Sequence, residues 1–249
     1  MLFMSCISTS YFQIYQVERS NVSPADNSSD LTFEDSNCKI IYNIWSKGGK
    51  TGFTFENKTD SDIYIKLNKS HYILNGFAYD YYQNRTYTNS QSSAVSASAA
   101  VNNLNINKNQ VNGKSVTAGL SSGYSVSITE DSVLCIPSKS MKSISEFSLR
   151  NERILDCDLS KYPQRIQTKL FDAEKTPLSF SNRLTYELNG VVVRVNNEFY
   201  VSSITNCSYD EFYDVGYRST CGKKNSYPTK TFKYYSPSKF YVEYNYGNY

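Results

Sequence analysis

Two Asn-Gly pairs, each set between apolar segments, do most to limit what this chain can become. His71-Tyr72-Ile73-Leu74 runs into Asn75-Gly76 and leaves through Phe77-Ala78-Tyr79-Asp80-Tyr81-Tyr82. Leu184-Thr185-Tyr186-Glu187-Leu188 and Val191-Val192-Val193-Arg194-Val195 flank Asn189-Gly190 in the same way. A tight two-residue hairpin turn needs positive φ at both positions, which Asn and Gly tolerate, so both places predict antiparallel hairpins.

The rest of the chain repeats this grammar. Segments 39–45, 51–57, 63–67, 124–128, 132–136, 142–149, 198–204, 230–235 and 240–244 are apolar, β-branched or alternating, with turn residues such as Gly48-Gly49 and Ser236-Pro237 between them. Strands at such regular spacing argue for a sandwich or a barrel. The 23 Tyr and 13 Phe agree, because pleated sheets accommodate aromatic side chains. A chain of 249 residues can bury a core without metal or disulfide support.

Three segments stand apart. Residues 7–36 read as a polar tether, within which Tyr11-Phe12-Gln13-Ile14-Tyr15-Gln16-Val17 alternates and could pair as a first strand. Residues 88–123 hold no aromatic and no acidic residue and read as a long mobile insertion, with a short helix at 94–101 if something packs on it. Residues 37–249 apart from that insertion form the expected β-domain. A helical turn is expected at 158–163.

The first six residues, Met1-Leu2-Phe3-Met4-Ser5-Cys6, are an apolar run closing on a small residue and a cysteine. This is how a bacterial lipoprotein signal peptide ends. Cys6 is then the acylated first residue of the mature protein, and the membrane is its partner through that lipid. A secretory signal needs roughly 7–15 apolar residues behind a basic region, so the start codon is expected upstream. No later segment approaches the roughly 20 apolar residues of a spanning helix.

Chemistry is harder to find. The net charge of +3 gives no case for nucleic acid. Lysines and tyrosines interleave at 223–241, which reads as exposed lysines beside half-buried aromatics on edge strands. Gly119-Leu120-Ser121-Ser122-Gly123 matches a nucleophile pattern, but the single histidine, His71, lies upstream of it. One histidine also excludes His-rich metal motifs, and no phosphate-cradling glycine loop is present, so no cofactor is expected. Asp60/Asp62, Asp156/Asp158 and Asp210/Glu211 are the carboxylate pairs from which a glycosidase would have to be built.

With Cys6 lipidated, Cys38, Cys135, Cys157, Cys207 and Cys221 remain. None shows CxxC spacing. Cys207 with Cys221 is the first candidate disulfide and Cys38 with Cys157 the second, with a buried free thiol the alternative for each.

Phe53-Thr54-Phe55-Glu56-Asn57-Lys58-Thr59, Ile63-Tyr64-Ile65, Ser70, Asn75-Gly76 and Ile136-Pro137-Ser138-Lys139-Ser140 resemble an immunoglobulin-like module of bacterial envelope proteins. Together with the LFMSC start and Asn197-Glu198-Phe199-Tyr200-Val201-Ser202, the chain resembles uncharacterised lipoproteins of Bacteroides-type bacteria. The resemblance implies an immunoglobulin-like β-sandwich with added strands, lipid-anchored to the outer membrane, and implies no catalytic residues. Periplasmic and surface-facing orientations both stay open. The function expected is non-enzymatic: binding or scaffolding another envelope component, a protein or a glycan. A glycan- or cell-wall-directed hydrolase and a phage or mobile-element structural protein are the alternatives.

Overall fold

A computed structural model describes residues 10–20, 31–96, 119–145, 147–224 and 226–246. Its strands are, in chain order, β1 (Ser10–Arg19), β2 (Thr32–Glu34), β3 (Cys38–Tyr42), β4 (Phe53–Asn57), β5 (Ile63–Lys66), β6 (His71–Leu74), β7 (Phe77–Asp80), β8 (Thr86–Ser96), β9 (Gly119–Thr129), β10 (Val133–Ile136), β11 (Met141–Ile144), β12 (Gln167–Leu170), β13 (Ser179–Leu188), β14 (Val191–Ser208), β15 (Tyr213–Gly216), β16 (Ser219–Thr220), β17 (Lys223–Lys224), β18 (Thr229–Phe232) and β19 (Lys239–Asn245). One short helix, α1 (Tyr209–Phe212), follows β14. All ladders between these strands are antiparallel.

The main unit comprises residues 1–82 and 132–249. It is the all-β sandwich that the alternation predicts. Its larger sheet runs β10-β5-β13-β14-β1-β19, with β12 also on β14 and the β6–β7 hairpin also on β13. Its smaller sheet runs β11-β4-β3-β2. Ile40, Tyr42, Phe53, Phe55 and Ile144 of the smaller sheet share one buried cluster with Tyr15, Val17, Ile65, Tyr186, Phe199 and Ile204 of the larger. Tyr42 meets Phe199 edge-on at 4.9 Å, and Phe55 meets Tyr186 at 5.7 Å. The buried Tyr42 hydroxyl is satisfied across the sandwich, where Asn197 Nδ2 donates to it at 2.8 Å.

Both Asn-Gly pairs turn as expected. Asn75 and Gly76 take φ of 47° and 87°, and Asn189 and Gly190 take 50° and 80°. Gly49 is required for a second reason: a Cβ there would sit 2.8 Å from the Phe240 ring and 2.9 Å from Leu149.

Residues 10–19 are not tether. β1 lies between β14 and β19 and bonds to both. Tyr15 and Val17 enter the sandwich core, while Phe12 and Ile14 on the opposite face are buried under Phe212 and Cys207. Phe12 and Phe212 stack at 3.9 Å. Leu31 is buried and β2 extends the smaller sheet, so the tether reading fails for residues 31–34 as well.

β14 is long enough to serve both halves of the sheet because a bulge resets its alternation. Gln16 pairs with Ser203 but Val17 pairs with Val201, which leaves Ser202 unopposed. The core side therefore changes from Val195, Phe199 and Val201 to Ile204. A bulge inserts one residue into one strand and has this effect on parity.

Part of the insertion is paired strand. Residues 83–131 form a second unit, in which β8 and β9 pair along their whole length from Thr86↔Thr129 to Ser96↔Gly119. The expected helix thus starts inside a strand at Ala94, and residues 97–118 lie outside the described ones. Glu130 closes the base of this ladder. Its carboxylate accepts the Gln83 and Arg85 amides at 3.0 Å each and the Arg85 guanidinium at 2.6 Å. The Arg85 hydrogen bond holds the Glu130 pKa down at about 2. The helical turn expected at 158–163 is absent; Asp156 and Leu159 make only a turn before β12.

The five described cysteines are free thiols, so neither expected disulfide is present. Cys38 and Cys207 are buried in two different apolar clusters, whereas Cys157 and Cys221 are exposed. Burial pushes the thiols of Cys38 and Cys207 up to about 12. A thiol-specific reagent at neutral pH should label Cys157 and Cys221 quickly in the native protein. It should reach Cys38 and Cys207 only after denaturation, as read by peptide mass mapping. Rapid native labelling of Cys38 or Cys207 would contradict this packing.

Candidate functional site, a basic notch in the larger sheet

β13 changes partners part-way along. Its residues 180–183 pair with β6, and its residues 186–188 pair with β5. Between those two strands the chain makes one 3₁₀ turn, Leu67–Lys69. A 3₁₀ turn is tighter than a strand is long, so the ladder is interrupted there and side chains replace its bonds. The Thr185 amide donates to Ser70 Oγ at 3.0 Å, and Ser70 Oγ donates to the Lys66 carbonyl at 2.8 Å. Thr185 Oγ1 donates to the Lys69 carbonyl at 2.9 Å. Ser70 and Thr185 are both buried, so these bonds fix the turn against the sheet.

The interruption leaves a notch of about 490 Å³, lined by Asn68, Lys69, His71, Arg183, Leu184, Thr185, Arg194, Val195 and Asn196. Register explains the cluster. Arg183 lies opposite His71 on one side and Asn196 on the other, while Arg194 lies opposite Thr185. Arg183 and Arg194 are thus diagonal neighbours on one sheet face, roughly 7–8 Å apart at the backbone. Nearby carboxylates are engaged elsewhere. Glu187 pairs with Lys66 at 3.0 Å, Asp80 with His71 at 3.3 Å, and Glu198 accepts the Asn196 amide at 2.6 Å. Among the described residues, no carboxylate lies within ion-pair distance of Lys69, Arg183 or Arg194.

The residues singled out from the sequence do not converge. Cys6 lies outside the described residues. Gly119-Leu120-Ser121-Ser122-Gly123 is the start of strand β9, with none of the strand–turn–helix geometry that a nucleophile elbow needs. Lys169 Nζ sits 2.9 Å from Asp156 and 2.6 Å from Asp158. Its hydrogen bond lowers the Asp156 pKa, the opposite of what a general acid requires. Asp60 pairs with Lys139, and Asp62 accepts the Ser138 amide. Glu211 caps α1 by accepting the Ser208 amide at 3.0 Å. Among the described residues no cluster could hold a metal ion. The C-terminal lysines lie over aromatic rings, Lys230 at 5.0 Å from the Tyr209 centroid and Lys239 at 5.7 Å from that of Tyr234. Of the residues weighed above for chemistry, His71 belongs to the notch, as a partly exposed sheet residue rather than a ligand to metal.

Sequence reasoning misses Lys69, Arg183 and Arg194 as a cluster. The usable signal was the second Asn-Gly turn: counting outward from it puts Arg194 opposite Thr185 and Arg183 opposite Asn196. No family model matches the chain, and no curated protein or solved structure does.

Ser70→Ala should leave the buried Thr185 amide without an acceptor. An unfolding free energy lower by about 1–3 kcal/mol is expected in urea titrations, the usual cost of an unsatisfied buried donor. A loss below about 0.5 kcal/mol, the scale of an ordinary surface substitution, would show that the turn is held in another way.

Proposed function

We propose that this chain is a non-enzymatic binding module of the cell envelope, anchored by lipid on Cys6, which holds another envelope component. The notch carries the reading. It is a concave, rigidly backed site whose cations have no ion-pair partner among the described residues, and sites of 300–1,000 Å³ suit small ligands. Its walls hold side chains that bind and orient, and the carboxylate pairs elsewhere serve ion pairs and caps. The LFMSC start supports the anchor. Among the described residues no helix is long and apolar enough to cross a membrane, which leaves attachment to the N-terminal lipid in this reading.

Expression from the native upstream region in the native host tests the anchor. Wild-type chain should fractionate with membranes and show an acylated Cys6 by intact mass, and Cys6→Ala should release it. A wild-type chain that stays soluble, unlipidated and begins at Met1 would overturn the envelope assignment.

A further inference from the structure

We infer that the notch recognises a tetrahedral oxyanion, a phosphate or sulfate ester carried on a glycan. This deepens the binding-module reading and rests on it. Three positively charged residues, Lys69, Arg183 and Arg194, line the notch from three chain segments. Diagonal arginines repel one another across a ladder, so the sheet tolerates a standing electrostatic cost there. A bound anion removes that cost, and the three outer oxygens of a phosphate or sulfate ester can meet several cations at once, where a carboxylate has two. Guanidinium forks match phosphate oxygens with paired hydrogen bonds, and the ammonium of Lys69 adds a point charge.

The surroundings favour a sugar-borne group over a free ion. The notch is far larger than an oxyanion. Asn68 and Asn196 supply amides at its rim. Amides beside cations suit the hydroxyls of a sugar that carries the anion. The site is also preformed: Thr185 ties the Lys69 backbone to the strand that carries Arg183. A preformed site spends less binding energy on ordering.

The test uses the full chain and titration calorimetry with four probes: inorganic phosphate, sulfated dextran, unmodified dextran and phosphatidylglycerol vesicles. Wild type should bind phosphate and sulfated dextran, and bind unmodified dextran at least tenfold more weakly. Arg183→Gln/Arg194→Gln should weaken both anionic probes at least tenfold without lowering the thermal unfolding temperature. Lys230→Gln/Lys239→Gln, away from the notch, should bind as wild type does. Equal binding by the notch variant, or equal affinity for unmodified dextran, would overturn the inference. So would notch-dependent binding of vesicles without binding of sulfated dextran, which would assign the site to a lipid phosphate. Membrane fractionation of Cys6→Ala reads the anchor separately, so loss of this inference and loss of the envelope reading are told apart.

Discussion

The fold hangs on the insertion of β1 between β14 and β19. A strand with neighbours on both edges and cover on both faces has no solvated side, so each of its residues must find a partner. Phe12, Ile14, Tyr15 and Val17 do so by apolar burial. At roughly 1.5–3 kcal/mol each, their burial is comparable to the whole net stability of a domain, about 5–15 kcal/mol. Gln13 is fully buried too, and its amide is used at both ends. Its Nε2 donates to Asn206 Oδ1 at 2.9 Å and to the Ile154 carbonyl at 3.1 Å. Its Oε1 accepts the Tyr15 hydroxyl and the Ile154 amide. Buried polar groups satisfied in this way fix register as well as position.

That network explains the neighbouring parts. Asn206 lies beyond the Ser202 bulge, and only the parity reset there turns it to the same side as Gln13. Asn206 Nδ2 in turn donates to the Ser160 carbonyl, which pins the irregular segment before β12 onto the sheet. Nearer its start the same β14 carries Arg194 and Asn196 on its outward side. A single strand of 18 residues therefore links the structural centre to the notch. The notch itself needs the break in β13 pairing, since a continuous ladder would leave no room between Lys69 and the arginines.

Much of this was legible in the sequence, and the failures have physical causes. The two Asn-Gly turns, the alternating strands and the sandwich follow from local rules. β1 was underrated because Gln13 and Gln16 look like solvated positions. The partners that make Gln13 a core residue lie 141 and 193 residues away. Most of the β8–β9 ladder is hidden by its composition: outside 124–128 a run of Ser, Thr, Asn and Ala shows no apolar period. The basic notch is assembled from the turn at 67–69 and two strands more than a hundred residues later. Only the hairpin register offered a clue, and it covered two of the three cations.

Native-state hydrogen exchange of the β1 amides is the most direct test of the central claim. With β1 at the middle of the sheet, the amides of Ile14 and Tyr15 should exchange only through global opening. Their protection should match that of Val195 and Phe199 in the core and share its dependence on denaturant. Exchange of Ile14 and Tyr15 at the rate of an unstructured peptide, with Val195 and Phe199 still protected, would contradict the account and return residues 10–19 to the role of a tether.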